Sequence, residues 1–519
     1  MSADLIGNRT VGDLLLERVA RTPDKQWLVF EDADGKATRL TYEQFEDLVA
    51  RTAGGFASAG VGRGDKVALH LDNGVEMVVA LFALAYLGAV AVPSNTSNQV
   101  RELAHVVGWS QASTIVSGDN YRDLVDETVA VLGTPMRRIC VGTDPARLGE
   151  TAFGELASAR RIDPLRLHNE EPLEIIFTSG TTASPRGVVI THANWLWSGE
   201  RTSRGLHVSE EDTFFSCLPL FHVNAQSLSM LNALTANGTF VLVPRFSASS
   251  FMDQVRRHGA THASIVAMMV RTLLAQEPSA LDSVHSIRRA TYALSVRDAE
   301  RDAFQERFRI NLINGYGLTE TMTEVTVCPV FGPQRWPSIG LPAIGRTVRI
   351  IGEDGAEAAV GDPGEIVVHG QPGRTIMKEY YRDPAATAAT VADGWLRTGD
   401  VGYLDEAGYL YFVDRVKDIV KRAGENISAT EVEGVIAQHP SVELVAVVGV
   451  PDDIRDEAVK AFIVLRPGAA AMTFEEVRAH CLAQLAPFKV PTIVEFRDSL
   501  PMTSIGKIEK KLLKSGAAE

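Results

Sequence analysis

The amino-acid sequence predicts α/β plus α+β architecture: a large N-terminal domain of α/β layers with a small β-barrel subdomain, then a small C-terminal α+β domain. The chain has 519 residues, which is more than one hydrophobic core usually supports. Its first part alternates helical and strand-like patterns, as in parallel sheets covered by helices. From about residue 345 to 412, short strand-like runs are separated by turns rich in Gly, Pro and Asp.

The N-terminal layers begin with a helix after Thr41. Thr41 and Gln44 have the spacing of a capping box, and apolar residues then recur at helical spacing at Phe45, Val49 and Phe56. The patterns that follow predict a strand over 67–71, a helix over 75–86 and a strand over 89–92. Such an alternation predicts parallel strands joined by helices.

The C-terminal domain is predicted from the same kind of pattern. Helices are expected over 430–438 and 474–484, and strands over 444–450 and 459–464. These elements form an independent α+β unit.

Composition and charge exclude several classes of protein. The formal net charge is -14, which does not favour nucleic-acid binding. The four cysteines are scattered without a CxxC pair, as expected of reduced thiols in a cytoplasmic protein. No signal peptide is evident, and the apolar run over 77–92 is shorter than the ~20 residues that span a bilayer. We therefore expect a cytoplasmic protein without a membrane span.

A loop rich in hydroxyl groups lies between two apolar runs, at residues 178–187. Gly180 and Gly187 let the backbone approach a ligand closely, and Arg186 supplies positive charge. Hydroxyl donors stand at Thr178, Ser179, Thr181, Thr182 and Ser184. The pattern predicts a cradle for an oligophosphate, although a Ser/Thr-rich surface hairpin would have a similar composition.

This loop closely resembles the phosphate loop of the adenylate-forming superfamily, which contains acyl-CoA synthetases, luciferases and the adenylation domains of peptide synthetases. That family usually has Gly where this chain has Ala183 and Lys where it has Arg186. Ala183 stiffens the loop, and Arg186 keeps the charge while changing its geometry. Within the superfamily the nearest resemblance is to the crotonobetaine/carnitine-CoA ligase group, through residues 66–73, 335–340, 378–380 and 454–458.

A second motif of the family matches residues 316–320. By itself the run could be a tight turn into a helix capped by Thr319. The resemblance implies that Tyr316 stacks on adenine, that Thr319 contacts the α-phosphate and that Glu320 binds Mg²⁺, with Thr181 also near the metal. A hard dication held by few carboxylates and by the triphosphate fits this expectation.

Four further matches lie in the second half of the chain. By resemblance, Asp400 and Arg415 contact the ribose, and Lys417 is the hinge of a mobile small domain. Gly424 lines the channel for the pantetheine of coenzyme A, and Lys507 bridges the attacking carboxylate and the α-phosphate. An ammonium between two anions offsets their repulsion.

The acid pocket is the least determined part of the predicted site. His222 in mostly apolar company could simply be a core histidine, but the resemblance places it beside the carboxylate. Tyr292 and Leu294 stand where many relatives have small residues, so they should reshape the pocket. The segment after His222 offers Asn224 and Gln226 and no carboxylate for a cation, which favours a neutral, hydrophobic acid.

The resemblance implies an acid–thiol ligase that uses ATP, Mg²⁺ and coenzyme A. Residues 1–414 form the AMP-binding adenylation domain, residues 415–519 the mobile domain, and residues 414–418 the hinge. Two alternatives stay open: an adenylating enzyme that passes acyl-AMP to a partner enzyme or carrier protein, and an inactive binding protein on the same fold. A homodimer also stays open.

Overall fold

The protein is described from a computed structural model. The described residues are 4–142, 149–178, 185–293, 296–415, 418–422, 425–452, 456–485, 487–503 and 507–514. The chain forms two compact units. The first contains Met1–Val348 and Val368–Leu396, and the second contains Arg349–Val367 and Arg397–Glu519.

Two large sheets organise the first unit. One has eight strands in the spatial order Glu379–Tyr380, Arg186–Thr191, Pro172–Thr178, Val90–Pro93, Lys66–His70, Thr114–Gly118, Arg137–Val141 and Glu150–Ala152. The other has nine, in the order Leu341–Pro342, Thr323–Val327, Asn311–Leu318, Arg289–Ala293, His262–Val266, Thr213–Ser216, Thr239–Leu242, Gln26–Glu31 and Ala37–Thr41. The central pairs of both sheets are parallel, as predicted.

Helices cover these sheets. The described α-helices of the first unit are Val11–Arg21, Tyr42–Ser58, Val75–Leu87, Val100–Ser110, Arg122–Leu132, Phe153–Ala157, His192–Gly205, Val223–Ala225, Asn232–Ala236, Phe251–Arg257, Ala267–Leu274, Asp298–Phe308 and Pro384–Thr390. The largest core cluster joins apolar residues of both sheets to helix Val75–Leu87, which is buried from Met77 onward. None of the described helices is long and apolar enough to cross a membrane.

The predicted capping box at the start of helix Tyr42–Ser58 is confirmed. Thr41 accepts a hydrogen bond from the Gln44 backbone, and the Gln44 side chain accepts one from the Thr41 backbone. Gly54 and Gly55 do not interrupt this helix. A Cβ atom on Gly54 would lie 1.9 Å from the Arg160 carbonyl oxygen, so glycine permits a close approach of the neighbouring segment.

Residues 347–415 form a smaller sheet. Its five strands are Thr347–Ile351, Gly364–His369, Trp395–Leu404 and Val391–Ala392 in spatial order, with Leu410–Arg415 also paired to Trp395–Leu404. Gly355, at φ +81°, stands in one of the predicted turns. The predicted change to short strands in this region is confirmed.

The second unit also contains the C-terminal elements. Its sheet has the order Glu425–Ser428, Ile419–Arg422, Asp456–Leu465 and Val442–Asp452, with Ile493–Phe496 parallel to Asp456–Leu465. Its described α-helices are Ala429–Ile436, Phe474–Leu482 and Lys510–Lys514. The helices and strands predicted for this domain are confirmed, with ends shifted by a few residues. The predicted hinge at 414–418 stays a prediction.

Candidate active site

The two ends of the predicted phosphate loop lie side by side. Strand Pro172–Thr178 pairs antiparallel with Arg186–Thr191, and Thr178 stands opposite Arg186. A Cβ atom on Gly187 would lie 2.7 Å from Ile175 Cγ2, so this position requires glycine. The remaining loop residues named above, Ser179, Gly180, Thr181, Thr182, Ala183 and Ser184, lie outside the described residues.

Arg186 is held between an aromatic ring and a carboxylate. Its guanidinium carbon lies 5.4 Å from the centroid of the Tyr380 ring, and its Nε lies 3.6 Å from Asp383 Oδ2. Both charged side chains are about 30% exposed, so the ion pair contributes orientation more than stability. The guanidinium group of Arg186 is therefore held in one orientation before it binds a phosphate.

The same tyrosine contacts the predicted magnesium ligand. The Tyr380 hydroxyl donates a hydrogen bond of 2.8 Å to Glu320 Oε1. Burial and the neighbouring Glu320 carboxylate raise the pKa of the Tyr380 phenol, so it remains a donor. Arg186, Tyr380 and Glu320 thus form a continuous row, in which one phenol lies between a cation and an anion.

Sequence reasoning identified Arg186 and Glu320 but missed the function of Tyr380. The sequence singles out residues 378–380 only through their resemblance to a ligase group. The position is set by register, because Tyr380 pairs with Val188 on the strand that begins at Arg186. The signal in the sequence is a tyrosine within a stretch that matches the family but has no predicted function.

Glu320 lies in a tightly held turn. Residues Thr319–Thr321 form a 3₁₀ turn, and Thr321 Oγ1 donates to the Thr323 carbonyl at 2.6 Å. Met322 and Thr323 have positive φ values of 46° and 67°. This conformation is strained for Thr323, which is β-branched. A Cβ atom on Gly317 would lie 2.1 Å from the Thr323 carbonyl oxygen, so the glycine lets the two strands approach.

The adenine and phosphate contacts predicted for Tyr316 and Thr319 lie along the same segment. Tyr316 is half-buried near the end of strand Asn311–Leu318, opposite Thr326. Thr319 begins the turn that carries Glu320. The residues predicted to contact adenine, the α-phosphate and Mg²⁺ therefore follow one another along the end of this strand and the turn after it.

A buried arginine braces this turn from behind. Arg346 Nε donates to the Glu324 carbonyl at 3.0 Å, and its two terminal nitrogens donate to the carbonyls of Thr321 and Thr375. Sequence reasoning missed Arg346, because its partners are backbone groups of distant segments. Its contacts fix the end of the Thr319–Thr321 turn.

A second buried arginine and a carboxylate accompany Arg346. Arg201 Nε donates to the Ile344 carbonyl at 3.0 Å, and Glu324 is buried beside both arginines. Burial raises the pKa of Glu324 to about 7, although the charges of Arg201 and Arg346 oppose the shift. The carboxyl group behind the active-site turn therefore titrates near neutral pH.

A single carboxylate in this turn fits Mg²⁺. Among the described residues, no group of three or more His, Cys, Asp or Glu side chains gathers into a metal cluster. Mg²⁺ is commonly bound by one or two carboxylates together with water and substrate phosphates. Glu320, oriented by Tyr380, can supply that carboxylate.

The predicted acid-pocket residues follow a short turn. The His222 backbone N–H donates to the Pro219 carbonyl at 3.1 Å, and His222 precedes helix Val223–Ala225. Asn224 Oδ1 accepts a hydrogen bond of 2.6 Å from the Ser264 hydroxyl. The polar groups in this segment are thus a neutral amide, a hydroxyl and an imidazole.

Tyr292 is buried in a second core cluster. Its ring centroid lies 6.0 Å from that of Trp336, and its strand runs parallel between His262–Val266 and Asn311–Leu318. The influence of Tyr292 on the acid pocket stays a prediction. Leu294 lies outside the described residues.

The second unit brings the two predicted ribose ligands together. Asp400 and Arg415 are opposite each other in register, and Arg415 Nε lies 3.3 Å from Asp400 Oδ1. Asp400 is buried, and its backbone N–H donates to Thr398 Oγ1 at 3.1 Å. A fixed carboxylate beside a cation can accept hydrogen bonds from both hydroxyls of a ribose. Lys417 and Gly424 lie outside the described residues.

Lys507 belongs to the second unit. The Thr503 backbone N–H donates to the Lys507 carbonyl at 2.7 Å, and the Lys507 N–H donates to Thr503 Oγ1 at 3.0 Å. Met502 and Ile508 form a β-bridge. Lys507 is exposed, and its contact with the attacking carboxylate stays a prediction.

Two family models match the chain. The model described as AMP-binding enzyme matches residues 15–381, and the model described as AMP-binding enzyme C-terminal domain matches residues 431–507. The crotonobetaine/carnitine–CoA ligase of Proteus mirabilis is 39% identical over 517 residues, covering 98% of this chain and 100% of that protein.

Solved structures give the same picture. The o-succinylbenzoate coenzyme A synthetase of Bacillus subtilis, in complex with ATP and magnesium ion, has a TM-score of 0.84 and 28% identity. The match covers 96% of this chain and 99% of that chain. An anthranilate CoA ligase in complex with anthranoyl-AMP has a TM-score of 0.89 at 24% identity, covering 99% of this chain and 98% of that chain, and supports the fold alone.

Proposed function

The chain belongs to the family of AMP-binding enzymes and is an acyl-CoA synthetase, and from this premise we propose that it activates a neutral, hydrophobic carboxylic acid. The acid and ATP give acyl-AMP and pyrophosphate, and the acyl group then passes to coenzyme A. The row Arg186–Tyr380–Glu320 is the observation that supports the assignment of roles. The ring of Tyr380 faces the Arg186 cation and its hydroxyl donates to the Glu320 carboxylate, so one side chain contacts both charged groups.

In the first step a carboxylate oxygen bonds to the α-phosphorus while the bond to the pyrophosphate oxygen breaks. Arg186 and the loop hydroxyls bind the leaving phosphates, and Lys507 draws the two anions together. Glu320 and Thr181 would hold Mg²⁺, which would supply positive charge to neutralise the triphosphate. No protein nucleophile is required, because the step depends on positioning and charge neutralisation.

In the second step the thiol sulfur of coenzyme A bonds to the acyl carbon and AMP leaves with the bonding electrons. The thiol proton passes to the departing AMP or to water. We propose that the small domain turns about Lys417, which withdraws Lys507 and brings Gly424 toward the thiol. One pocket then serves both steps.

The neutral character of the acid is proposed from the pocket segment. Asn224 presents an amide, already fixed by Ser264. The buried carboxylate that binds Gln226 is Glu174, and its two oxygens already accept from Trp195 and Gln226. A quaternary ammonium group would need an acidic or aromatic partner, so a neutral acid fits better.

A panel of acids tests the proposal. The neutral members, whose acyl part is uncharged, are hexanoate, octanoate, benzoate and cinnamate. The cationic members, whose acyl part carries a quaternary ammonium group, are carnitine, crotonobetaine and γ-butyrobetaine. We expect acid-dependent pyrophosphate exchange to be at least about tenfold faster with a neutral member, a difference of about 1.4 kcal/mol. Lys507→Ala is the control that should abolish exchange, and faster exchange with a cation would refute the proposed substrate class.

The acceptor is tested in the same assay. Adding coenzyme A should give an acyl thioester, whereas release of acyl-AMP to a carrier protein or partner enzyme would leave free coenzyme A unchanged. An inactive binding protein would bind acid and ATP without exchange.

We place the enzyme in the cytoplasm, where its four buried thiols stay reduced. A homodimer is tested by light scattering.

A further inference from the structure

One buried glutamine joins the acid pocket to the strand of the phosphate loop. Gln226 lies at the start of a π-helical turn, Gln226–Leu231, directly after the segment that contains His222 and Asn224. Its Nε2 donates to the Leu220 carbonyl at 2.9 Å and to Glu174 Oε2 at 3.1 Å. Both N–H groups of this amide therefore donate, one to the turn that precedes His222 and one to the strand of the phosphate loop. π-Turns inside helices are often found at functional sites.

Glu174 is the second member of this network. It lies on strand Pro172–Thr178, whose end is the first residue of the phosphate loop, and its side chain is fully buried. Its other oxygen, Oε1, accepts a hydrogen bond of 2.8 Å from Trp195 Nε1. Burial raises the pKa of Glu174 to about 7, so most of these carboxyl groups are ionised at pH 8.

Asn73 holds the same turn from the other side. Its Nδ2 donates to the carbonyls of Leu218 and Val243, at 3.0 and 3.1 Å, and its Oδ1 accepts from the Leu220 N–H at 2.9 Å. Leu220 therefore has its N–H bound by Asn73 and its carbonyl bound by Gln226. Two amides fix the backbone of the turn that precedes His222.

We propose that Gln226 and Glu174 are positioning residues for the acid pocket, which hold the turn before His222 in register with the phosphate-loop strand. This inference rests on the proposed function, because it takes the acid to bind beside His222. Since one nitrogen carries both hydrogen bonds, a change at Glu174 is transmitted to Leu220 without touching the acid. The network thus keeps the carboxylate near its line of attack on the α-phosphorus.

Replacing Glu174 by glutamine isolates this effect. The two side chains have the same shape, so packing is retained. The introduced carboxamide can still accept from Trp195, but it then turns its NH₂ group toward Gln226 Nε2, which places donor against donor. If the Gln226 amide rotates to relieve this, its oxygen faces the Leu220 carbonyl. The first arrangement breaks the hydrogen bond between the two side chains and the second breaks the one to Leu220, so in either case the link between the strand and the turn is interrupted.

The experiment measures acid-dependent pyrophosphate exchange at pH 8 with octanoate, or with the fastest acid of the panel. We expect Glu174→Gln to raise the KM of the acid about tenfold, while kcat and the KM of ATP change less than about threefold. Trp195→Phe is the matched control. It removes the hydrogen bond to Oε1 and leaves Gln226 in place, so the KM of the acid should stay within about threefold.

A second variant keeps the test decisive if Glu174→Gln is poorly folded. Gln226→Met retains a side chain of similar length and removes both hydrogen bonds, so it should raise the acid KM at least as much. An unchanged acid KM in a folded variant, or an equal increase in Trp195→Phe, would overturn the proposal. Failure of the proposed function looks different, because wild-type enzyme would then either exchange faster with a carnitine-like acid or show no acid-dependent exchange with any member of the panel.

Discussion

At the scale of single residues, the site depends on the Tyr380 hydroxyl. This atom lies 2.8 Å from Glu320 Oε1, while the ring of the same residue faces Arg186. The two contacts use different parts of the side chain, so they can be separated by substitution. Removing the hydroxyl should weaken the orientation of the carboxylate without disturbing the cation.

Tyr380→Phe should therefore weaken magnesium binding more than nucleotide binding. Hydrogen bonds to charged groups contribute about 1.5–3 kcal/mol, and partial exposure lowers the effect, so we expect about a tenfold increase in the Mg²⁺ concentration for half-maximal pyrophosphate exchange. Tyr381→Phe is the control, because its exposed hydroxyl contacts Gln111 at 3.3 Å. Equal magnesium dependence in the two variants would show that the Tyr380 hydroxyl does not orient Glu320.

At the scale of elements, strand Thr323–Val327 connects the turn that carries Glu320 to a buried charged cluster. Glu324 on this strand lies near Arg201 and Arg346, and Arg346 also binds the carbonyl of Thr321. The protonation of one buried carboxyl group is thereby linked to the stability of the strand.

Glu324→Gln should reveal this link as a change in the pH dependence of stability. Burial raises the pKa of Glu324 from 4.5 to about 7, so the folded state binds the proton more tightly than the unfolded state. The group's contribution to stability is then fully present below about pH 4.5 and is lost as the pH rises to about 7, by up to about 3 kcal/mol. The free energy of unfolding of the glutamine variant lacks this decrease with pH, because glutamine does not titrate.

The measurement is the thermal denaturation midpoint at pH 5.5 and pH 8. The midpoint of Glu324→Gln, relative to wild type, should rise between these two pH values. Glu306→Gln, at an exposed position of helix Asp298–Phe308, should show the same difference from wild type at both. A constant difference for Glu324→Gln as well would contradict the raised pKa.

The elements themselves were largely predictable, because their signals are local. The capping residues Thr41 and Gln44 and the apolar spacing after them are contained in one short stretch, and the helix begins where they indicate. The contact of Tyr380 with Glu320 depends instead on the pairing of Glu379–Tyr380 with Arg186–Thr191. Arg346 binds only backbone carbonyls, which leave no trace in side-chain identity. Such partners require the tertiary structure.

At the scale of the whole molecule, the predicted contacts with ATP are divided between two units. The first contains Arg186, Glu320 and Tyr380, whereas the second contains the pair Asp400–Arg415 and Lys507. The predicted hinge residue Lys417 stands in the chain between Arg415 and Lys507, so a rotation there would move Lys507 while Asp400 and Arg415 keep their place, and a reaction in two steps can use such a movement.

Lys417→Pro tests that use. Proline fixes φ and removes the backbone N–H, so it should hinder rotation at the predicted hinge without altering the groups that contact ATP. We expect pyrophosphate exchange within about threefold of wild type and thioester formation from preformed acyl-AMP reduced by about a hundredfold or more. Lys417→Ala removes the same charge but keeps the backbone free, so both steps should be retained. A parallel loss of both steps in the proline variant would place the hinge elsewhere, whereas equal thioester rates in the two variants would mean that no rotation at this residue is needed.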